Sequence, residues 1–325
     1  MKRGLYLASA ILLVLLFSLE ARGQAKGSSY PLKKVILSYS AVSLSWLPIK
    51  AAAERGFFQE EGLEPQLVQM RGNVATMALG SQNIDFSANI SPILNGAIQG
   101  MGLKLVAVIS TRPLFSLVVR PEIKSTADLK GKVFAVNAFG NSQAILTEKH
   151  LQYLGLSKDD YKLIAMGGTG ARIAAMEKNL AQGSLIPAPA NVMLEGQGYR
   201  LLGNTAEIIA HPIGGLGTHE EKIRKQPDLV KKAIRAALKG LRFVQTRREE
   251  TVKVIMDWVR LNERDAGRVY DLSKAGYSKN GFASDDVLSI EWEFIQQETR
   301  RAGVPVTAAR DFTLLAEAQA ELGFR

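Results

Sequence analysis

Residues 46–110 restrict the fold more than any other part of this 325-residue chain. Helix-length segments (WLPIKAAAERGFF, NVATMALGS, SPILNGAIQG) alternate there with short apolar runs (LEPQLVQ, IDFSANI, LKLVAVIS), and Gly62, Gly72, Gly80 and Gly102 stand at the joints. That alternation predicts βαβ units in a parallel sheet. An open parallel sheet places its binding groups just beyond the carboxyl ends of its strands. Those ends are small and polar here: Arg71, Gly72 and Asn73, then Asn89 and Ser91, then Ser110 and Thr111. They are expected to form one wall of a ligand cleft.

The flanking sequence extends the pattern. KVILSYS reads as the first strand, and its exit, SAVSLSW, carries Ser40, Ser45 and Trp46 into a helix that tolerates Pro48 in its first turn. After the extended run FSLVVRP the chain is expected to cross near Arg120 into a second, smaller unit. That unit repeats the alternation: strand KVFAVNA, a turn at Gly140, a helix from Ser142 to about Leu154, strand YKLIAM, the turn GGTG at 167–170, helix ARIAAMEKNLAQ, extended SLIPAP, a helix around Val192, then YRLLG. The extended EIIAHPIGG reads as the return, at 204–210. Two crossings make the second domain (120–205) an insertion in the first (32–119 and 206–325). From Pro227 onward the chain reads as helical. Val230, Ala233, Ile234, Ala237, Leu238, Leu241 and Val244 make one apolar stripe, and two further amphipathic helices are expected near 285–301 and 308–322, packed on the first sheet.

The net charge of +10 comes from Lys and Arg spread along the chain, without the clustered basic stripe and interleaved aromatics that nucleic acid requires. The basic side of the helix after Pro227 (Lys231, Lys232, Arg235, Lys239, Arg242) reads as a solvated face. Lys2 and Arg3 precede a 15-residue apolar run and the small residues that end at Ala25. This is the pattern of a secretory leader cleaved after Ala21 or Ala25, and the run is shorter than the roughly 18 residues of a spanning helix. With no cysteine there are no disulfides, thiolate metal sites or cysteine nucleophile. His150, His211 and His219 have no metal-ligand spacing, and no Walker loop, dinucleotide fingerprint or nucleophile elbow occurs. No cofactor, metal or catalytic residue is expected. The mature chain is expected to be exported and soluble.

The segments KAAAERGFFQEEGLEPQLV, GSQNIDFSANISPILNGAIQGMGLKLVAVIS, STADLKGKVFAVNAFGNSQ and QPDLVKKAIRAALKG, in this order, resemble the substrate-binding proteins of ABC importers in the nitrate/sulfonate/taurine and thiamine-precursor group, the NMT1/THI5-like proteins. The resemblance implies an α/β periplasmic binding protein of type II, a monomer whose two lobes close about a hinge on a small-molecule ligand and deliver it to an ABC permease in the inner membrane. It places ligand contacts at residues 40–46, 71–73, 89–91, 111 and 140–142. Where relatives commonly have an acidic residue after the second-lobe helix, this chain has Ser184, which leaves the contacts expected near 187–191, Pro189 among them, open. The same fold carries enzymes, so an enzyme or a ligand sensor on this scaffold, or a binder of a neutral heterocycle such as a thiamine pyrimidine precursor, is the alternative.

Three candidates carry chemistry of their own. FGNSQ is a glycine turn entering a helix, and the free N–H groups of that turn, with Gly140, Asn141 and Ser142, suit an anionic head group or a simple helix cap. Trp46 lies in a polar loop, where it either stacks on a ligand or is buried. Arg112 has the planar fork that pairs with a carboxylate or sulfonate. GGTG marks a turn as readily as a phosphate cradle.

Overall fold

β1 (Lys33–Tyr39) buries Val35 and Leu37 on one side of the sheet and Ser38 on the other, and pairs in parallel with β2 (Leu63–Gln69) and β3 (Phe86–Asn89). Helices α1 (Leu47–Glu54), α2 (Gly72–Gly80) and α3 (Ile90–Ile98) make the crossovers, the last leading into β4 (Leu103–Ser110). The computed structural model describes residues 31–325 except Ala41, Gly140, Asn141, Ala302 and Arg325. The expected leader at 1–25 lies outside the described residues. The single helix expected over 46–58 is broken in two, because Gly56 takes a left-handed φ of 80° and starts a separate turn, Phe57–Glu60.

Four residues after β4 the chain enters a second sheet. β5 (Phe115–Val119) sends Leu117 and Val119 to one apolar layer and Val118 to the other. The segment FSLVV therefore belongs to the second sheet, and the crossing lies at 111–114 instead of near Arg120. β6 (Lys132–Val136), α4 (Ser142–Tyr153), β7 (Tyr161–Ala165), α5 (Thr169–Glu177), β8 (Gly183–Pro187), α6 (Ala190–Gly196) and β9 (Arg200–Asn204) complete it, in the order β7-β6-β8-β5-β9. Strands β6, β7 and β8 are parallel, and β5 is antiparallel to β8 and β9.

After a short helical turn at Thr205–Ile208, where extended chain was expected, β10 (Gly214–His219) returns to the first sheet and inserts antiparallel between β3 and β4. A Cβ at Gly217 would overlap Ile93, and one at Gly215 would crowd the Ala107 carbonyl. This strand is built from glycine because its neighbours leave no room, which removes the β-branched signature of a strand.

The C-terminal helices cover the first sheet: α7 (Pro227–Thr246), α8 (Arg248–Val259), α9 (Glu263–Ser273), α10 (Asp285–Thr299) and α11 (Thr313–Leu322). The expected stripe of α7 is fully buried, and a Cβ at Gly240 would overlap the Pro48 carbonyl of α1, so the two helices touch backbone to backbone. The basic side of α7 is not free. Lys239 bridges Glu60 (2.8 Å) and Glu61 (2.6 Å), Arg235 pairs with Glu61 (2.9 Å) and with Glu321, and Lys231 lies 3.1 Å from both Glu317 and Glu321. Among the described residues no helix is long and apolar enough to cross a membrane. Helix α9 was not expected; its run of charged residues hides the few buried positions Ala266, Val269 and Tyr270.

Candidate ligand-binding cleft

The topology sets the cleft. β4 runs parallel to β1, β2 and β3 and ends at Ser110, while β5 starts at Phe115 against the carboxyl end of β8, with Phe115 opposite Pro187. The short connection at 111–114 therefore joins the carboxyl edges of the two sheets. Three backbone segments meet there. Thr111 N–H (2.9 Å) and Arg112 N–H (3.2 Å) donate to the Gly276 carbonyl, and Thr111 accepts from His211 N–H at 3.0 Å. These bonds tie the outgoing chain, the returning chain and the segment after α9 into one hinge.

On the first wall the expected residues are largely held by one another. Asn89 Nδ2 donates to Ser40 Oγ (2.7 Å) while its Oδ1 accepts from Ser40 N–H (3.1 Å). Ser43 caps the 3-10 turn Leu44–Trp46 through Ser45 N–H, and Ser45 is buried. Tyr277 donates its hydroxyl to the Leu44 carbonyl at 2.9 Å. Gly72, Asn73 and Ser91 do converge: with Thr76, Asn95 and Gln99 they line a cavity of about 340 Å³ between α2 and α3. Trp46 is 5% exposed, beside Tyr39 with ring centroids 6.5 Å apart, so it is a core side chain and not an open stacking platform. Arg112 spends Nη1 on the Ala206 carbonyl (3.0 Å), which staples the two crossing segments together.

A buried polar group at the hinge was missed. Ser91 Oγ donates to Glu291 Oε1, and His211 Nε2 lies 3.0 Å from Glu291 Oε2, with both His211 and Glu291 buried. The three residues come from α3, the return segment and α10. No spacing in the sequence links them, although the glutamate on the apolar side of α10 was a readable anomaly.

The second wall is more open. Gly140 and Asn141 lie outside the described residues, and Ser142 begins α4. In the first turn of α4, Gln143 Oε1 accepts from Asn137 N–H at 2.8 Å. Phe139 is 66% exposed at the exit of β6. Pro189 stands at the start of α6, two residues beyond β8. Ser184 donates to the Ala135 carbonyl (2.7 Å) and accepts from Arg172 Nη1 (3.1 Å).

The NMT1/THI5 like family matches residues 44–251, more than half of the chain. The chain belongs to the NMT1/THI5-like family. No curated protein matches it in sequence. Among solved structures, the periplasmic sulfonate-binding protein SsuA of Methylobacillus flagellatus KT superposes with a TM-score of 0.72 at 20% identity, over 91% of this chain and 96% of that one. The periplasmic nitrate-binding protein NrtA of Synechocystis PCC 6803 gives 0.64 at 14%, over 90% of each chain. DszB, a desulfurization enzyme solved with biphenyl-2-sulfinic acid, gives 0.69 at 14%, over 89% of this chain and all of that one. At these identities the likeness establishes the fold alone, the two-lobed, hinged α/β fold that periplasmic binding proteins share.

Proposed function

We propose that this NMT1/THI5-like chain is the solute-binding protein of an ABC importer, exported by its leader and cleaved after Ala21 or Ala25. It acts as a monomer that traps a small polar or anionic organic solute, a sulfonate or carboxylate, and presents the closed form to a permease. The observation that carries this reading is the four-residue connection at 111–114, which turns the carboxyl edges of both sheets toward one hinge. Groups at Ser40, Asn73, Asn89, Ser142 and Pro189 then approach one solute from two sides. SsuA and NrtA, by their names, bind sulfonate and nitrate on this fold.

DszB keeps an enzymatic role in view, but the polar group at the hinge argues for structure. Ser91 donates to the carboxylate, and the imidazole lies against the other carboxylate oxygen, so no imidazole reaches the hydroxyl. These three residues therefore do not form the serine–histidine pair of acyl-transfer enzymes, in which the imidazole itself takes the hydroxyl proton.

The test is native mass spectrometry of the purified mature protein, followed by denaturation to identify any compound carried through, then thermal shift against sulfonates, carboxylates and pyrimidines. A true ligand at a hundredfold excess over Kd stabilises the fold by about 2.7 kcal/mol. A folded protein that carries nothing and is shifted by no compound contradicts the proposal. Conversion of the ligand on incubation replaces it with the enzymatic one.

A further inference from the structure

Arg172 is a buried cation without a carboxylate. It is 4% exposed on α5, and its guanidinium donates only to neutral oxygens: the Leu185 carbonyl (2.5 Å), Ser184 Oγ (3.1 Å) and Thr169 Oγ1 (3.1 Å). Among the described residues no acidic side chain pairs with it, and Nε has no hydrogen-bond partner. Burial alone pulls its pKa down to about 10, so it remains charged at neutral pH. A buried charge is normally paired. Here no acidic side chain among the described residues supplies the compensating anion.

What lies above the guanidinium is an open helix start. α5 begins after the GGTG turn, and no described side chain caps it. The first N–H groups of such a helix have no internal acceptor and carry the positive end of its dipole. Cβ atoms built at Gly167, Gly168 and Gly170 would meet nothing within 4 Å, so the turn faces open space. Gly167 N–H donates to the Asn137 carbonyl (2.9 Å), which sets the turn beside the exit of β6, on the hinge side of the second sheet. Thr169 joins the two features. Its oxygen accepts from Arg172, which leaves its own proton free to point outward.

We infer that the GGTG turn is the anion subsite of the second wall: the backbone N–H groups of residues 169–171 and the Thr169 hydroxyl hold a sulfonate or carboxylate head group, with Arg172 as its buried counter-charge. Phe139, exposed at the neighbouring strand exit, then covers the apolar part of the same molecule. This deepens the solute-binding reading and rests on it. It places the head group on the helix after β7 and not on the Gly140–Ser142 turn. Arg172 is a positioning residue, acting through Thr169 and through its field.

Crystals of the mature protein soaked in selenate test the location. The strongest anomalous peak is expected within hydrogen-bond reach of Thr169 Oγ1 and Gly170 N. A stronger peak at residues 140–142, or none at the turn, overturns the assignment. In solution the probe is methanesulfonate, against neutral methanesulfonamide. Thr169→Val, which keeps the shape and removes the hydroxyl that accepts from Arg172 and donates to the head group, should weaken methanesulfonate binding about tenfold in a chain that circular dichroism shows to be folded. Arg172→Lys should retain part of the affinity and Arg172→Gln should lose it, each judged only after circular dichroism confirms a folded chain. Methanesulfonate binding that ignores both Thr169→Val and Arg172→Gln sinks this inference but leaves the receptor standing. Preference for methanesulfonamide sinks the inference in the same way.

Discussion

The two walls of the cleft are built on opposite plans. On the first, polar groups at the strand exits are spent on each other: Asn89 on Ser40, Ser91 on Glu291, Tyr277 on Leu44. On the second, a helix starts without a cap, an arginine is buried without an acid, and Phe139 stands in solvent. Satisfied polar networks fix a geometry. Unsatisfied ones wait for a partner. In the solute-binding reading proposed above, the first wall is a preformed template and the second carries the groups that a ligand would satisfy.

This contrast can be broken most directly at Gly214. A Cβ there would overlap the Ser45 carbonyl, and backbone cannot step aside as a side chain can. Gly214→Ala should cost about 3 kcal/mol in urea unfolding; a loss well below about 1 kcal/mol would mean the first wall is not rigid. Next in size is Glu291→Ala, which leaves His211 and Ser91 without their shared partner in a buried site. Its expected cost is about 2 kcal/mol, and hydrogen exchange should rise at both crossing segments. Exchange changes confined to α10 would show that the cluster does not brace the hinge.

The smallest effect is a pH response of the second half. His150 Nε2 donates to the Leu202 carbonyl at 2.9 Å, and its Nδ1 is buried without a partner. Burial lowers its pKa below the usual 6.5, outweighing the hydrogen bond to Leu202. The unfolded chain therefore takes up the proton first as pH falls. The stability from keeping this imidazole neutral is full above pH 6.5 and is lost progressively as pH drops from there to the depressed value, by at most about 1.4 kcal/mol per pH unit. His150→Gln should flatten that slope. A slope that persists in the variant would move the effect to another group.

The sequence was most legible where physics is local. Short apolar runs and helix-length segments marked the neighbourhoods of nine of the strands, because period and length separate the two kinds of element. Gly72, Asn73 and Ser91, which end strands or open helices in the sequence, line one cavity between α2 and α3. What stayed hidden depends on distant partners. GGLGTH has no strand signature, because Ile93 and Ala107 dictate its glycines from elsewhere in the chain. FSLVV reads equally well in either sheet, and only its pairing with β8 and β9 decides. Trp46 was ambiguous for the same reason: burial is decided by Tyr39 and the helices around it, and a polar loop sequence does not record them. Arg172 sat unnoticed in an amphipathic helix, as a charge is ordinary there until the absence of its acid is seen.

The position of β10 has a consequence for how the molecule is made. It separates β3 from β4, yet it follows the entire second half in the chain. The first sheet is thus incomplete until that half has been synthesised and its return segment has arrived, whereas the strands of the second sheet are contiguous in the chain. Contacts of such long sequence separation slow folding. In a chain of this design the strands of the smaller half can pair with one another as they are made, while the first sheet must wait for its last strand.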